Sequence, residues 1–209
     1  NRFKPFVVAL IAGLLPFAPL FLNTYQVDVL NSIGLYALLA LSLNLILGEA
    51  GLFNMGHAAF YAMGAYTAAI LNTRYQIPIL WTLPLSGLVA GLFALAVARP
   101  VVHLRGDYLL IVTIGVGEIV RIALVNDVFG ITGGANGIFG ISRPRLFGWV
   151  IRRPEEFFYL IWGCVALTIF LFLRLKRSRF GRALNYLRED VVAAEGSGID
   201  TDYYQLAAF

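Results

Sequence analysis

Charge is scarce in this chain: Asp, Glu, Lys and Arg make up 13% of its 209 residues, against roughly 25% in an ordinary soluble domain. That is too little to wet a globule. A single cysteine, Cys164, excludes a disulfide scaffold. Only two histidines occur, His57 and His103, in different segments and without His-x3-His or Glu-x-x-His spacing, so no convincing metal set is in place. No Gly-Lys pair exists, which removes the phosphate-cradling loop that ends in Lys-Ser/Thr and with it ATP binding by this chain. A nucleophile with a convergent base, or carboxylates paired for acid–base work, is equally wanting, and an enzyme is not expected.

Apolar residues make up 59% of the chain and mean hydropathy is +0.78. A soluble fold of this composition would expose far more than the few hundred Å² of contiguous apolar surface that a monomer tolerates. The same numbers exclude disorder. The chain belongs in a membrane. Its net charge of +4 does not point to nucleic acid, because Arg174, Lys176, Arg177, Arg179, Arg182 and Arg188 cluster directly after an apolar run, as at a cytoplasmic membrane boundary.

Gaps between charges divide the chain. Residues 5–27, 29–48, 50–73, 75–98 and 157–173 carry none, and about 20 residues of helix cross the hydrocarbon. A sixth candidate, 106–125, has Asp107 at its mouth and Glu118 and Arg121 within, so it spans only if those groups face protein or a water-filled path. With the 174–200 loop inside, alternate crossings place ten basic residues inside (Arg2, Lys4, Arg99 and Arg105 beside the cluster) and five outside (Arg74, Arg143, Arg145, Arg152, Arg153), in accord with the positive-inside rule. A cleaved leader is the alternative for the N-terminal run, although no small-x-small site precedes Asn23 and the run is long.

Pro16 and Pro19 should kink or break the first span. Gly87 and Gly91 form a GxxxG ridge that suits close helix approach, unless they reflect only the abundance of glycine in membrane helices. Between Leu47 and Thr67, four glycines (Gly48, Gly51, Gly56, Gly64) stand among Glu49, Asn54 and His57. Irregular backbone at membrane depth survives only where protein or a water-lined cavity satisfies it, so a broken or re-entrant segment beside a pathway is expected. A tight cytoplasmic turn is the alternative, and Glu49 and Gly51 would suit it equally. His57 is expected to donate a helix-to-helix hydrogen bond. Glu118 and Arg121, three apart, share a helix face and should pair, either toward a polar path or another subunit, or as a lock between two helices. The outer segment 126–156 holds six glycines and two prolines and reads as a structured loop around Gly133, Gly134, Asn136 and Gly137.

These residues carry a resemblance. The segments GEAGLFNMGHAAFYAMGAYTAA (48–69), LRGDYLLIVTIGVGEIVRIALVN (104–126), TGGANGI (132–138) and GRALNYLREDVVAAEGSGIDT (181–201) resemble the permease subunits of branched-chain amino-acid ABC importers, LivM type. The likeness runs through most of the chain. It implies an all-α fold: a polytopic transmembrane helical bundle with a broken or re-entrant segment and a cytoplasmic coupling helix, in one permease domain, 1–209. The last segment resembles the loop by which such permeases dock on their ATPases, with the pattern Glu-Ala-Ala, three residues, Gly. Ala193, Ala194 and Gly198 match it. Val192 stands in the Glu position, so Arg188, Glu189 and Asp190 are expected to carry the polar contacts. A merely solvated basic loop is the alternative.

The resemblance further implies a multi-pass protein of the cytoplasmic membrane that imports leucine, isoleucine or valine and performs no covalent chemistry. Its partners would be a second homologous permease, two cytoplasmic ATPases that hold the ATP and Mg, and a periplasmic or lipid-anchored binding protein. Glu49, Asn54, His57, Glu118 and Arg121 would line the path or the permease–permease seam. Similar permeases serve urea or short amides. A secondary transporter or channel would also suit the broken spans, but gives no reason for the VVAAEGSGID sequence. Because the chain begins at Asn1 and ends as YYQLAAF turns apolar, a fragment lacking its last spans is expected.

Overall fold

A computed structural model describes residue 16 and residues 18–101, 104, 107–146 and 149–209. Arg2, Lys4, His103, Arg105 and most of the first expected span, with its leader alternative, lie outside the described residues. The helices are α1 (Ala18–Phe21), α2 (Thr24–Asn44), α3 (His57–Tyr75), α4 (Ile79–Val101), α5 (Asp107–Val125), α6 (Pro154–Arg177), α7 (Arg179–Glu189), α8 (Val191–Gly196) and α9 (Thr201–Ala208). Among the described residues four helical stretches are long and apolar enough to cross a membrane: Thr24–Glu49, Ile79–Val101, Asp107–Val125 and Pro154–Arg177; α3, which takes up most of the expected 50–73 span, is not one of them. The chain is an all-α, multi-pass membrane protein.

Charge gaps misplace one boundary. Asp28, expected between two spans, lies inside α2, whose start is instead set by Asn23: its backbone N–H donates to the Gln26 side chain at 3.1 Å. Pro19 sits in the short α1, which ends before that cap. At the other end of the chain, α6 opens with Pro154 and two glutamates and closes with Arg174, Lys176 and Arg177, the polarity that suits the helix dipole. The 174–200 region is therefore not an open loop. It comprises the end of α6 and a compact run of short helices. Outer residues Arg145–Leu146 and Trp149–Val150 form a small antiparallel pair, Arg145 opposite Val150 and Leu146 opposite Trp149, which the all-α reading did not foresee.

Two packings organise the spans. α2 lies along α6, and α3 lies along α4 and touches α5. A methyl group at Gly34 would come within 2.6 Å of Ile161, so the α2–α6 approach requires glycine there. The Gly87 and Gly91 ridge has no neighbour within 4 Å of either added Cβ; no described helix uses it.

Both ends of the bundle are fixed by polar contacts. At one end Asn72 exchanges bonds with Ser142, side-chain N to Oγ at 2.6 Å and Ser142 N–H to Oδ1 at 2.6 Å, while Arg74 donates to the Gly130 carbonyl at 2.8 Å. The basic end holds the buried apolar cluster: Ile46, Ala50 and Leu52 pack with Val101, Leu109, Leu184, Leu187, Ala194 and Ala208. Most of the spanning surface, by contrast, has no partner among the described residues; only 11 to 17% of each span's most apolar window is buried.

Candidate functional site

Between α2 and α3, near the basic end of the bundle, the chain leaves regular helix. The last turn of α2 widens into a π-helix, Leu45–Glu49, and residues 50–56 have no regular helix before α3 begins at His57. Gly51 makes the turn at φ +70° and lies so close to the Arg188 side chain that a methyl there would come within 2.6 Å of its Cγ. Asn54 closes a local turn by accepting from the Gly56 N–H at 2.9 Å, and Met55 N–H donates to Thr113 Oγ1 at 3.2 Å. Gly56 rests on the Thr113 carbonyl, where a Cβ would collide, so the broken strand of chain is seated directly on α5. The single straight helix is excluded; the irregular segment fits both the expected break and the tight turn given as its alternative.

Three buried polar atoms in this stretch have no partner among the described residues: Glu49 Oε2, Asn54 Nδ2 and His57 Nδ1. His57 Nε2 lies 2.7 Å from Ser42 Oγ on α2, the expected helix-to-helix bond. Ser42 Oγ is in turn 2.8 Å from the Leu39 carbonyl, which takes the hydroxyl proton; His57 therefore donates from Nε2 and is left with a bare Nδ1 lone pair. Unpaired buried groups call for water or another protein surface.

Glu118 and Arg121 do pair, in a bidentate fork with Nε–Oε2 2.9 Å and Nη2–Oε1 2.6 Å. Their side chains are about half exposed, 52% and 62%. They border a cleft of about 470 Å³ between α3 and α5, with Met55, Ala58, Ala62, Tyr66, Ile114 and Leu124 among its walls. The broken segment contributes to the same cleft through Met55.

The basic end couples this segment to the short helices. Lys176 Nζ is 2.7 Å from Glu49 Oε1, and Glu49 is almost fully buried. Arg188 donates from Nη1 to the Gly48 carbonyl at 2.6 Å. Leu184 and Leu187 on the buried face of α7 pack against Ile46, Ala50 and Leu52. α7 is capped by Ser178, which accepts from Gly181 N–H, and α8 by Asp190, whose Oδ1 accepts from Val192 and Ala193 N–H at 2.9 and 3.1 Å. α8 ends in a Schellman motif: Gly198 N–H donates to Glu195 and Ile199 N–H to Ala194, with Gly198 at φ +80° and Ile199 packed beside Ala194.

Of the residues expected at a docking surface, Ala193, Glu189 and Gly198 are exposed, whereas Ala194 is buried in the chain's own core. Arg188 and Asp190 are exposed but engaged within the chain, as described. Lys176, Thr113 and Ser42 were not singled out from sequence. Lys176 stands 127 positions from Glu49, and no local pattern links them; its place in the basic cluster was its only mark.

The outer loop is ordered by its glycines and by Asp127. Gly133 (φ +72°) lies against the Gly137 carbonyl, where a Cβ would clash, and Gly134 to Asn136 make one 3₁₀ turn. Asp127, itself at φ +49°, receives the Thr132 N–H at 2.7 Å and has the Thr132 hydroxyl at 2.9 Å. These bonds, the backbone one first, hold the Asp127 carboxyl below its ordinary pKa.

Comparison with known proteins agrees with this architecture. Residues 25–209 match the family described as "Branched-chain amino acid transport system / permease component". The high-affinity branched-chain amino acid transport system permease protein LivM of Salmonella typhimurium is 39% identical, over 91% of this chain and 50% of the relative. LivM of Escherichia coli is 38% identical, over 99% of this chain and 53% of the relative. The LivH permease of Escherichia coli is 30% identical over 80% of this chain. The chain thus spans about half the length of the LivM relatives from these two bacteria. No solved structure matches.

Proposed function

The chain belongs to the family of permease components of branched-chain amino acid transport systems, and from that premise we propose that it is a subunit of an ATP-driven importer for leucine, isoleucine and valine in the cytoplasmic membrane. It contributes half of the path, the other half coming from a second, related permease. Two ATPases dock beneath it, and a binding protein on the outer face delivers the substrate. The chain itself binds no nucleotide and does no covalent chemistry; ATP and Mg are the ATPases' ligands.

The observation that carries this reading is the bracing of α7 against the broken segment. Any force applied to α8 by a docked ATPase reaches Glu49 and Gly48 through α7, Lys176 and Arg188, over short contacts within one packed cluster. A packed cluster transmits displacement because it resists compression. The broken segment then moves against Thr113 on α5 and changes the cleft at Met55. A channel working without ATP has no use for such a cytoplasmic attachment.

Reconstitution tests the assignment. The full importer, assembled from this permease, its partner permease, the ATPases and the binding protein, should take up labelled leucine into proteoliposomes only with ATP, in competition with isoleucine and valine. Uptake of urea or acetamide instead would move the assignment to the amide-transporting branch, and leucine uptake without ATP would reject the importer.

A further inference from the structure

Glu118 and Arg121 are a costly pair to place on a membrane helix, and their setting suggests a use for both charges. Glu118 lies 11 residues beyond Asp107, the first residue of α5, or roughly 16 Å along the helix axis, well inside the helix. The pair is half exposed, so it is not sealed in the chain's interior. It sits at the edge of a cleft of about 470 Å³, within the range of roughly 300–1,000 Å³ typical of small-molecule pockets. The cleft's remaining walls are almost wholly apolar, Ala58, Ala62, Ile114 and Leu124 among them.

The geometry points to this cleft as a transient site for a zwitterionic amino acid, with Glu118 receiving the α-ammonium, Arg121 the α-carboxylate, and the apolar wall the aliphatic side chain. The inference rests on the functional reading above and adds where, and by which groups, the permease itself recognises its cargo.

Charge balance is the argument. In the empty cleft the two side chains neutralise each other through the fork. A zwitterion opens that fork by offering each charge a replacement, so the site remains neutral at every stage. A free amine or a free carboxylate replaces only one partner and leaves the other charge without one beside an apolar wall, where an unpaired ion is disfavoured. The empty site re-forms its own ion pair, which lowers affinity and favours release, as a site on a path requires. The apolar wall adds attraction in proportion to the buried aliphatic area.

The test uses the assembled importer in proteoliposomes, with Cys164→Ser and Ala62→Cys, and follows mixed-disulfide formation at residue 62 with a small water-soluble thiosulfonate, which releases a sulfinate. Leucine uptake is measured in the same vesicles. Leucine should slow labelling, while 3-methylbutylamine and 4-methylpentanoate at equal concentration should not. Glu118→Gln should raise the half-protecting leucine concentration roughly tenfold or more, the usual loss when a charged hydrogen-bond partner is removed. Glu118→Asp should retain protection, which separates recognition from a folding defect. Equal protection by all three compounds would overturn the inference in favour of a merely apolar cleft. No labelling of residue 62, or no protection while leucine uptake proceeds, would overturn it and leave the importer standing. Absence of leucine uptake would remove the functional reading and the inference together.

Discussion

Gly198 stands at φ +80° immediately after α8, yet a Cβ built there meets nothing within 4 Å. Backbone conformation and side-chain bulk are therefore separable at this position. The left-handed conformation disfavours any L side chain by about 1–2 kcal/mol, with Asn the mildest because its short polar group bonds locally. In the isolated permease Gly198→Ala and Gly198→Leu should destabilise the α8 cap alike, and Gly198→Asn less. A loss of about 1–2 kcal/mol corresponds to a factor of roughly 5–30, readable as faster hydrogen exchange at the Gly198 and Ile199 amides, which close the Schellman motif. In the assembled importer the two substitutions should part. Leu, but not Ala, adds bulk on an exposed surface beside Ala193, so ATPase association measured by co-purification should fall further for Leu. Much faster exchange in Leu than in Ala would show that the site is packed rather than open. Unchanged exchange in Ala would refute the left-handed cap, and equal ATPase retention by Leu and wild type would refute the docking surface.

Lys176→Met should be more harmful than Lys176→Met with Glu49→Gln, because the single change leaves a carboxylate buried without its cation. Breaking a buried pair typically loses 3–5 kcal/mol, and Lys176 is half exposed, so about 1–3 kcal/mol is expected in thermal unfolding; equal losses would show that the pair contributes nothing. The Asp127 carboxyl is held below its ordinary pKa by Thr132, so its contribution is present above the unfolded-state pKa and is lost as pH falls through the lower folded-state value. Exchange at the Thr132 amide, corrected for intrinsic pH dependence, should accelerate in that acid range in wild type and be fast at all pH in Asp127→Ala; identical profiles would contradict the bond.

Membrane residence and the broken segment were legible because each has a local signature: charge gaps, and glycines among polar residues at 48–64. The break is real because Gly51 and Gly56 meet Arg188 and Thr113 at distances no side chain allows. The sequence could not place those partners, which come from distant segments. It also treated Lys176 as an orientation signal and gave Arg188 to the docking contacts as well, although both bond directly to the end of the broken span. The span boundary at Asp28 failed for a related reason: a charge one turn inside a helix end reaches the interface, whereas the backbone cap at Asn23 determines where the helix starts. Ala194, which matches the docking pattern, faces from α8 into the chain's own cluster. The cleft beside Glu118 and Arg121 needed the structure entirely, since α3 and α5 both build it.

The central claim is that α7 carries the ATPases' motion to the broken segment through Arg188. Its most direct test is the ratio of ATP hydrolysed to leucine transported in proteoliposomes bearing Arg188→Met. With the guanidinium removed from the Gly48 carbonyl, the ATPases should remain bound and hydrolysis should continue, while transport falls roughly tenfold or more, as expected on losing a charged hydrogen bond. A wild-type ratio with wild-type uptake would contradict the account.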